Sequence, residues 1–166
     1  MKTSAVGRRL IKSFEGYRGE AYLCPAGVWT IGYGHTSGVN PGDTCTREEA
    51  DEFLKEDLTK AENAVNAQKL DLQQSQFDAL VSLVYNIGSG SFQRSTLLKL
   101  LKVDTIARDN LEKEWKSWRM GGGQVLKGLE RRRTAEWMLY KNGFFLLTLP
   151  VVIPIAAIIL MITKNK

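Results

Sequence analysis

The stretch SQFDALVSLVYNIG, Ser75–Gly88, constrains the fold more than any other part of the chain. Phe77, Leu80, Val81, Val84 and Ile87 recur at helical spacing, and Gly88 supplies a stop. A face this apolar must be covered, so the segment is expected inside a core. With 166 residues the chain makes one domain, or two small lobes around one core. Val6, Leu10, Ile11 and Phe14 predict a first helix over Ser4–Phe14, stopped by Gly16. Thr46 with Glu49 forms a capping-box pattern opening a helix through about Asn66, long enough to connect two lobes. Ser95–Leu101, Ala107–Trp118 and Leu129–Lys141 also read as helices, with Gly121–Gly123 a flexible loop.

One region departs from this helical pattern. Glu20–Leu23 and Val28–Gly34 alternate and are rich in aromatics, and Pro25–Gly27 gives a turn between them. The expected class is therefore α+β, a small β-hairpin lobe and a larger helical lobe with a cleft between. Glu15 falls at the C-terminal end of the first helix, where the helix dipole disfavours a carboxylate. That placement suggests a functional reason and a carboxyl that keeps its proton. Eight residues separate Glu15 from Cys24, and five separate Cys24 from Thr30. Cys24 ends one strand and Thr30 lies on its partner, so both can face a cleft bordered by Glu15. A protonated Glu is a general acid, a thiolate is a base or a nucleophile, and a Thr hydroxyl can orient a water. Cleavage of a glycosidic bond needs such an acid and a partner on the far side of the bond.

The net charge of +5 favours anionic partners. Between Ala107 and Lys141 there are nine Lys or Arg against five Asp or Glu, whereas Thr46–Asp57 is acidic. No basic-aromatic surface motif points to nucleic acid. Cys24 and Cys45 match no zinc spacing, and no metal or cofactor is expected. The front of the chain, MKTSAVGRRLIKSFEG, has no apolar signal region. The back end differs: Phe144–Ile162 holds nineteen residues without a charge. A helix of that length spans about 29 Å, close to a bilayer's hydrocarbon core. Residues 143–166 are therefore expected to form a hydrophobic tail and candidate transmembrane segment behind a domain of residues 1–142. Pro150 and Pro154 interrupt the tail, a feature membrane helices tolerate. Arg131, Arg132, Arg133 and Lys141 before the tail favour a domain on the cytoplasmic side of an inner membrane.

The stretch from Phe14 to Thr36, FEG…AY…VWTIGYGHT, resembles the active-site segment of the phage-type lysozymes, the endolysins of glycoside hydrolase family 24. The resemblance continues in QSQFDALVSLVYNIGSGSFQRSTLL and GGGQVLKGLERRRTAEWMLY and covers roughly residues 4 to 142. It implies a lysozyme-like fold and cleavage between N-acetylmuramic acid and N-acetylglucosamine in bacterial peptidoglycan, causing host lysis. It also implies roles: Glu15 as proton donor, Cys24 in the place most relatives give to Asp, and Thr30 as the residue that positions water. Whether Cys24 attacks directly or activates water stays open. Tyr33, His35 and Arg132 are expected around the sugar. Tyr33 lines the groove or supports the hairpin, His35 supports the hairpin or bonds a carboxylate, and Arg132 approaches Glu15 while Arg131 and Arg133 form a solvated basic face. Cys45 is expected away from the cleft, with no stable bond to Cys24 in the active form. A monomer is expected, held in the host cytoplasm or at the inner membrane before it acts on periplasmic peptidoglycan. Two other readings compete: a membrane-tethered wall-binding module without activity, and a cysteine hydrolase built on Cys24 and His35. The second lacks an orienting third group.

Overall fold

The structure is a computed structural model that describes residues 1–103 and 108–146. The expected apolar tail lies outside those residues from position 147 onward. Among the described residues, no helix is long and apolar enough to cross a membrane.

Helix α1, Ala5–Glu15, starts where the Ser4 hydroxyl accepts from the Val6 and Gly7 N–H groups and ends on Gly16, whose φ of 72° favours glycine. Strands β1, Arg18–Leu23, and β2, Trp29–Gly32, follow as an antiparallel hairpin, with Tyr22 opposite Thr30 and Leu23 opposite Trp29. A register irregularity lies between Arg18 and Tyr22. The outer edge of β1 is also occupied: Ala21 N–H donates to Asp43 O and Cys45 N–H to Gly19 O. Such pairing removes an open strand edge.

Helix α2, Arg47–Asn66, opens with the expected capping box, Thr46 N–H to Glu49 Oε2 at 2.8 Å and Glu49 N–H to Thr46 Oγ1 at 3.2 Å. It carries the hairpin: a Cβ added to Gly32 would stand 3.0 Å from Ala50 Cβ. Helix α3, Gln74–Ile87, is the buried centre, with Phe77, Ala79, Leu80, Val81, Leu83 and Val84 all buried. It packs against α1, α2 and α7. Helix α4, Ser89–Arg94, was not expected, and α5, Thr96–Leu101, follows it where a helix over Ser95–Leu101 was expected; Ser95 separates the two, and its hydroxyl accepts from Leu98 N–H at 3.0 Å.

Helix α6, Arg108–Ser117, lies against α7, Lys127–Leu146, through Trp115, Trp137 and Tyr140. The three glycines between them are not a loose loop. Strands β3, Met120–Gly121, and β4, Gln124–Val125, form a tight hairpin. Gly122 and Gly123 both have positive φ, 57° and 79°, as a two-residue hairpin turn of the primed type requires. Helix α7 continues four residues past the boundary at 142 expected from composition.

Two glycine substitutions test this packing in opposite directions. A Cβ on Gly7 would stand 2.7 Å from Asp78 Cγ and from Thr3 Cγ2. Gly7→Ala is therefore expected to lower stability by about 1–3 kcal/mol. Gly128, near the start of α7, has open space around it, and Gly128→Ala is expected to raise stability by up to ~1 kcal/mol. Urea denaturation of the two variants reads both signs.

Candidate active site

Glu15 is the last residue of α1, three residues before β1 begins. Its carboxylate does not stand alone at the helix end. Arg132, on the first third of α7, donates from Nη1 to Glu15 Oε1 at 2.6 Å. This guanidinium offsets the unfavourable end of the α1 dipole, which explains how a carboxylate is kept there. The pair is unequally covered: the Arg132 side chain is 4% exposed and that of Glu15 is 25% exposed. Glu15 thus presents a face to solvent while its partner is held inside. Arg132 also lies 5.6 Å from the centroid of the Phe14 ring. Of the three consecutive arginines, only Arg131 is exposed. Arg133, expected on a solvated face, is fully buried, with Nη2 donating to Asn86 Oδ1 at 2.9 Å.

Cys24 directly follows β1, at the start of the turn. Its backbone N–H donates to Val28 O at 3.0 Å, and its carbonyl accepts from Gly27 N–H at 2.8 Å. This closed turn folds the chain back over the thiol. Backbone hydrogen bonding from Val28, then from Ala26, pulls the Cys24 thiol below its ordinary range; burial opposes this, and the Thr30 side chain adds a lesser pull downward. Thr30, on β2, is buried, and its hydroxyl donates to Val28 O at 3.0 Å. One turn thereby organises both side chains. Cys45 is the opposite case: it sits behind the hairpin near Gly32, and burial followed by the Glu49 charge pushes its thiol up. Both cysteines are free.

Tyr33 and His35 are each more than nine-tenths buried. The Tyr33 ring lies 5.7 Å from that of Tyr17, with Lys12 Nζ 5.5 Å from its centroid. His35 Nδ1 stands 3.0 Å from Asp57 Oδ2, and the ring stacks on Phe53 at 4.6 Å. These contacts bind the segment after β2 to α2.

Tyr85 was not singled out in the sequence, because in a run of core positions it counts only as another large side chain. In the structure it is half-buried on α3 and feels the charges of Glu15, Asp57 and Arg132 together. Burial pushes its hydroxyl far up, and the negative charges of Glu15 and Asp57 add to that, so it stays a neutral phenol. A Cβ on Gly34 would come within 3.8 Å of Tyr85 Oη, so the hairpin lobe approaches α3 beside Glu15.

The structure thus gives Glu15 an ion pair and one open face, and puts the Thr30 hydroxyl beside a Cys24 thiol that is lowered from its ordinary range. Residues 12–136 match the phage lysozyme family, a span containing all three. An endolysin of Acyrthosiphon pisum secondary endosymbiont phage 1 is 44% identical over 146 residues, covering 86% of this chain and 100% of that protein. Among solved structures, the muramidase domain of SpmX from Asticaccaulis excentricus aligns with a TM-score of 0.78 at 40% identity, over 85% of this chain and 98% of that one. The active form of the P1 phage endolysin Lyz aligns with a TM-score of 0.73 at 28% identity, over 87% of each chain. With the hairpin, the central helix and the Glu15–Arg132 pair inside the matched span, the chain belongs to the phage lysozyme family.

Proposed function

We propose that this endolysin, a peptidoglycan-hydrolysing glycoside hydrolase, cleaves the bond between N-acetylmuramic acid and N-acetylglucosamine with Glu15, Cys24 and Thr30. Glu15 gives its proton to the leaving glycosidic oxygen. Cys24, as thiolate, and Thr30 hold and activate the water that attacks the sugar carbon. The observation that carries this reading is the turn at Cys24, whose backbone N–H groups and neighbouring Thr30 favour the thiolate. A thiolate can then occupy the place of a second carboxylate. Tyr33, His35 and Asp57 act by holding the hairpin, and Arg132 acts through Glu15 rather than by reaching the sugar directly.

The apolar run Phe144–Ile162 supports a second part of the reading, that the enzyme is held at the inner membrane before lysis. Retention of this kind would restrain the enzyme until lysis begins. In fractionated cells the full chain is expected to resist carbonate extraction, and Ile153→Lys with Ile158→Lys is expected to release it. Equal solubility of the two would end the membrane reading without touching the catalytic one.

The catalytic assignment is tested by clearing of purified cell walls. Glu15→Gln is expected to lose at least about 10²-fold in rate. Cys24→Ser should lose a comparable amount, while Cys24→Asp should retain activity because it restores a carboxylate. Full activity in Glu15→Gln, or in Cys24→Ser, would contradict the assignment.

The two thiols give a pH test. Because the Cys24 thiol is lowered, its thiolate fraction grows through a midpoint below the ordinary value near 8.5. Iodoacetamide at neutral pH should modify Cys24 and abolish activity, leaving Cys45 untouched until denaturant is added. Activity should fall as pH drops through the same midpoint that governs alkylation. Thr30→Val should move that midpoint upward.

A further inference from the structure

Glu136 lies on α7, one helical turn beyond Arg132, and is fully buried. Its two oxygens are met only by donors. Ser82 Oγ donates to Oε1 at 2.7 Å, Arg132 Nε at 3.1 Å and Arg133 Nη2 at 3.0 Å. Trp115 Nε1 donates to Oε2 at 3.2 Å, and Arg133 Nε stands 3.0 Å from that oxygen. A neutral carboxyl could place its proton only on the Ser82 hydroxyl, since the arginine and tryptophan groups around it can only donate. Burial raises the Glu136 carboxyl above its ordinary range, and Arg133, Arg132, Ser82 and Trp115 offset only part of that rise. Against that rise stands the geometry: two guanidiniums and an indole N–H face the two oxygens, a set that a carboxylate satisfies and a neutral carboxyl does not.

Arg132 is used on all sides. Nε points to Glu136, Nη2 donates to Ser82 O at 3.2 Å, and Nη1 is left for Glu15. A guanidinium is a rigid plane, so fixing two of its edges aims the third.

We propose that Glu136 is a positioning residue for the reaction. By holding the Nε edge of Arg132 it aims Nη1 at Glu15, and its negative charge offsets one of the two buried guanidiniums beside Glu15. The inference rests on Glu15 being the proton donor. With Glu136 ionised, Arg132 and Arg133 leave one net positive charge facing Glu15; without it they leave two. The added positive charge favours the ionised form of a neighbouring carboxyl, which works against proton donation. The charged and titratable groups around Glu15 are Arg132 and Arg133 from α7 and Tyr85 from α3, with Asp57 of α2 reached through Tyr85. Around Glu136 they are Arg132 and Arg133 from its own helix, with Ser82 from α3 and Trp115 from α6 as neutral donors.

The test is a carbon-13 titration of the glutamate carboxyls in the full chain, with Glu15 and Glu136 assigned by substitution. In the unsubstituted protein the Glu136 resonance is expected to be that of a carboxylate at neutral pH. A protonated carboxyl there overturns the proposal, and this reading needs no variant to fold. In Glu136→Gln the Glu15 midpoint is expected to move down by about one unit. The alkaline limb of kcat/KM should move down with it, with kcat reduced about tenfold at neutral pH and KM little changed. A merely structural role would lower the melting temperature and leave both the Glu15 midpoint and the alkaline limb in place, and that result overturns the proposal. If Glu15→Gln proves fully active, the assignment of the acid fails instead, while the carbon-13 shift still reads the link between Glu136 and Glu15.

Discussion

The Arg132 guanidinium is the interaction on which the rest of the structure depends. It joins three elements that are distant in sequence: the end of α1 through Glu15, the middle of α3 through Ser82 O, and its own helix through Glu136. A guanidinium 97% removed from solvent needs all of its hydrogen bonds and a nearby countercharge. Those demands bring α1, α3 and α7 into one arrangement, and Glu15 is placed where they meet. Burial of apolar surface around α3 supplies the drive to collapse, but it does not choose where the acid goes. The polar contacts through Arg132 do that.

The hairpin solves a different problem. Its strands are short, and a two-stranded hairpin alone is marginal in water. It is held by pairing with residues 43–45 on one edge, by close approach of Gly32 to Ala50, and by the His35–Asp57 contact to α2. A turn fixed on three sides can aim backbone N–H groups at a side chain without reorganising when charge appears there. Backbone hydrogen bonds in that turn lower the Cys24 thiol, whereas burial raises that of Cys45 behind the sheet.

Much of this was legible in the letters, and the legible parts share a cause. Local rules place α1 between Ser4 and Gly16, α2 behind the Thr46–Glu49 box and α3 before Gly88, because each signal is satisfied within one or two turns of chain. The spacing of Glu15, Cys24 and Thr30 was readable for the same reason: a helix end and one hairpin contain all three. What failed to show was long-range. The partner of Glu15 is not readable from local rules, because Arg132 lies 117 residues away, and only the family resemblance pointed to it. Arg133 looked solvated because a run of three arginines does not say which face of a helix is inside. The glycines at 121–123 looked loose because a two-residue turn with positive φ and a flexible linker use the same residue. Tyr85 and Glu136 went unmarked because their roles depend on charges brought to them by other helices.

The central claim is that a carboxyl, a thiolate and a hydroxyl together cut one sugar–sugar bond in the bacterial wall. The direct measurement is mass spectrometry of borohydride-reduced fragments released from purified peptidoglycan by the full chain under reducing conditions. Fragments ending in reduced N-acetylmuramic acid are the predicted result. Fragments ending in reduced N-acetylglucosamine, or cut peptides on intact glycan strands, would contradict it.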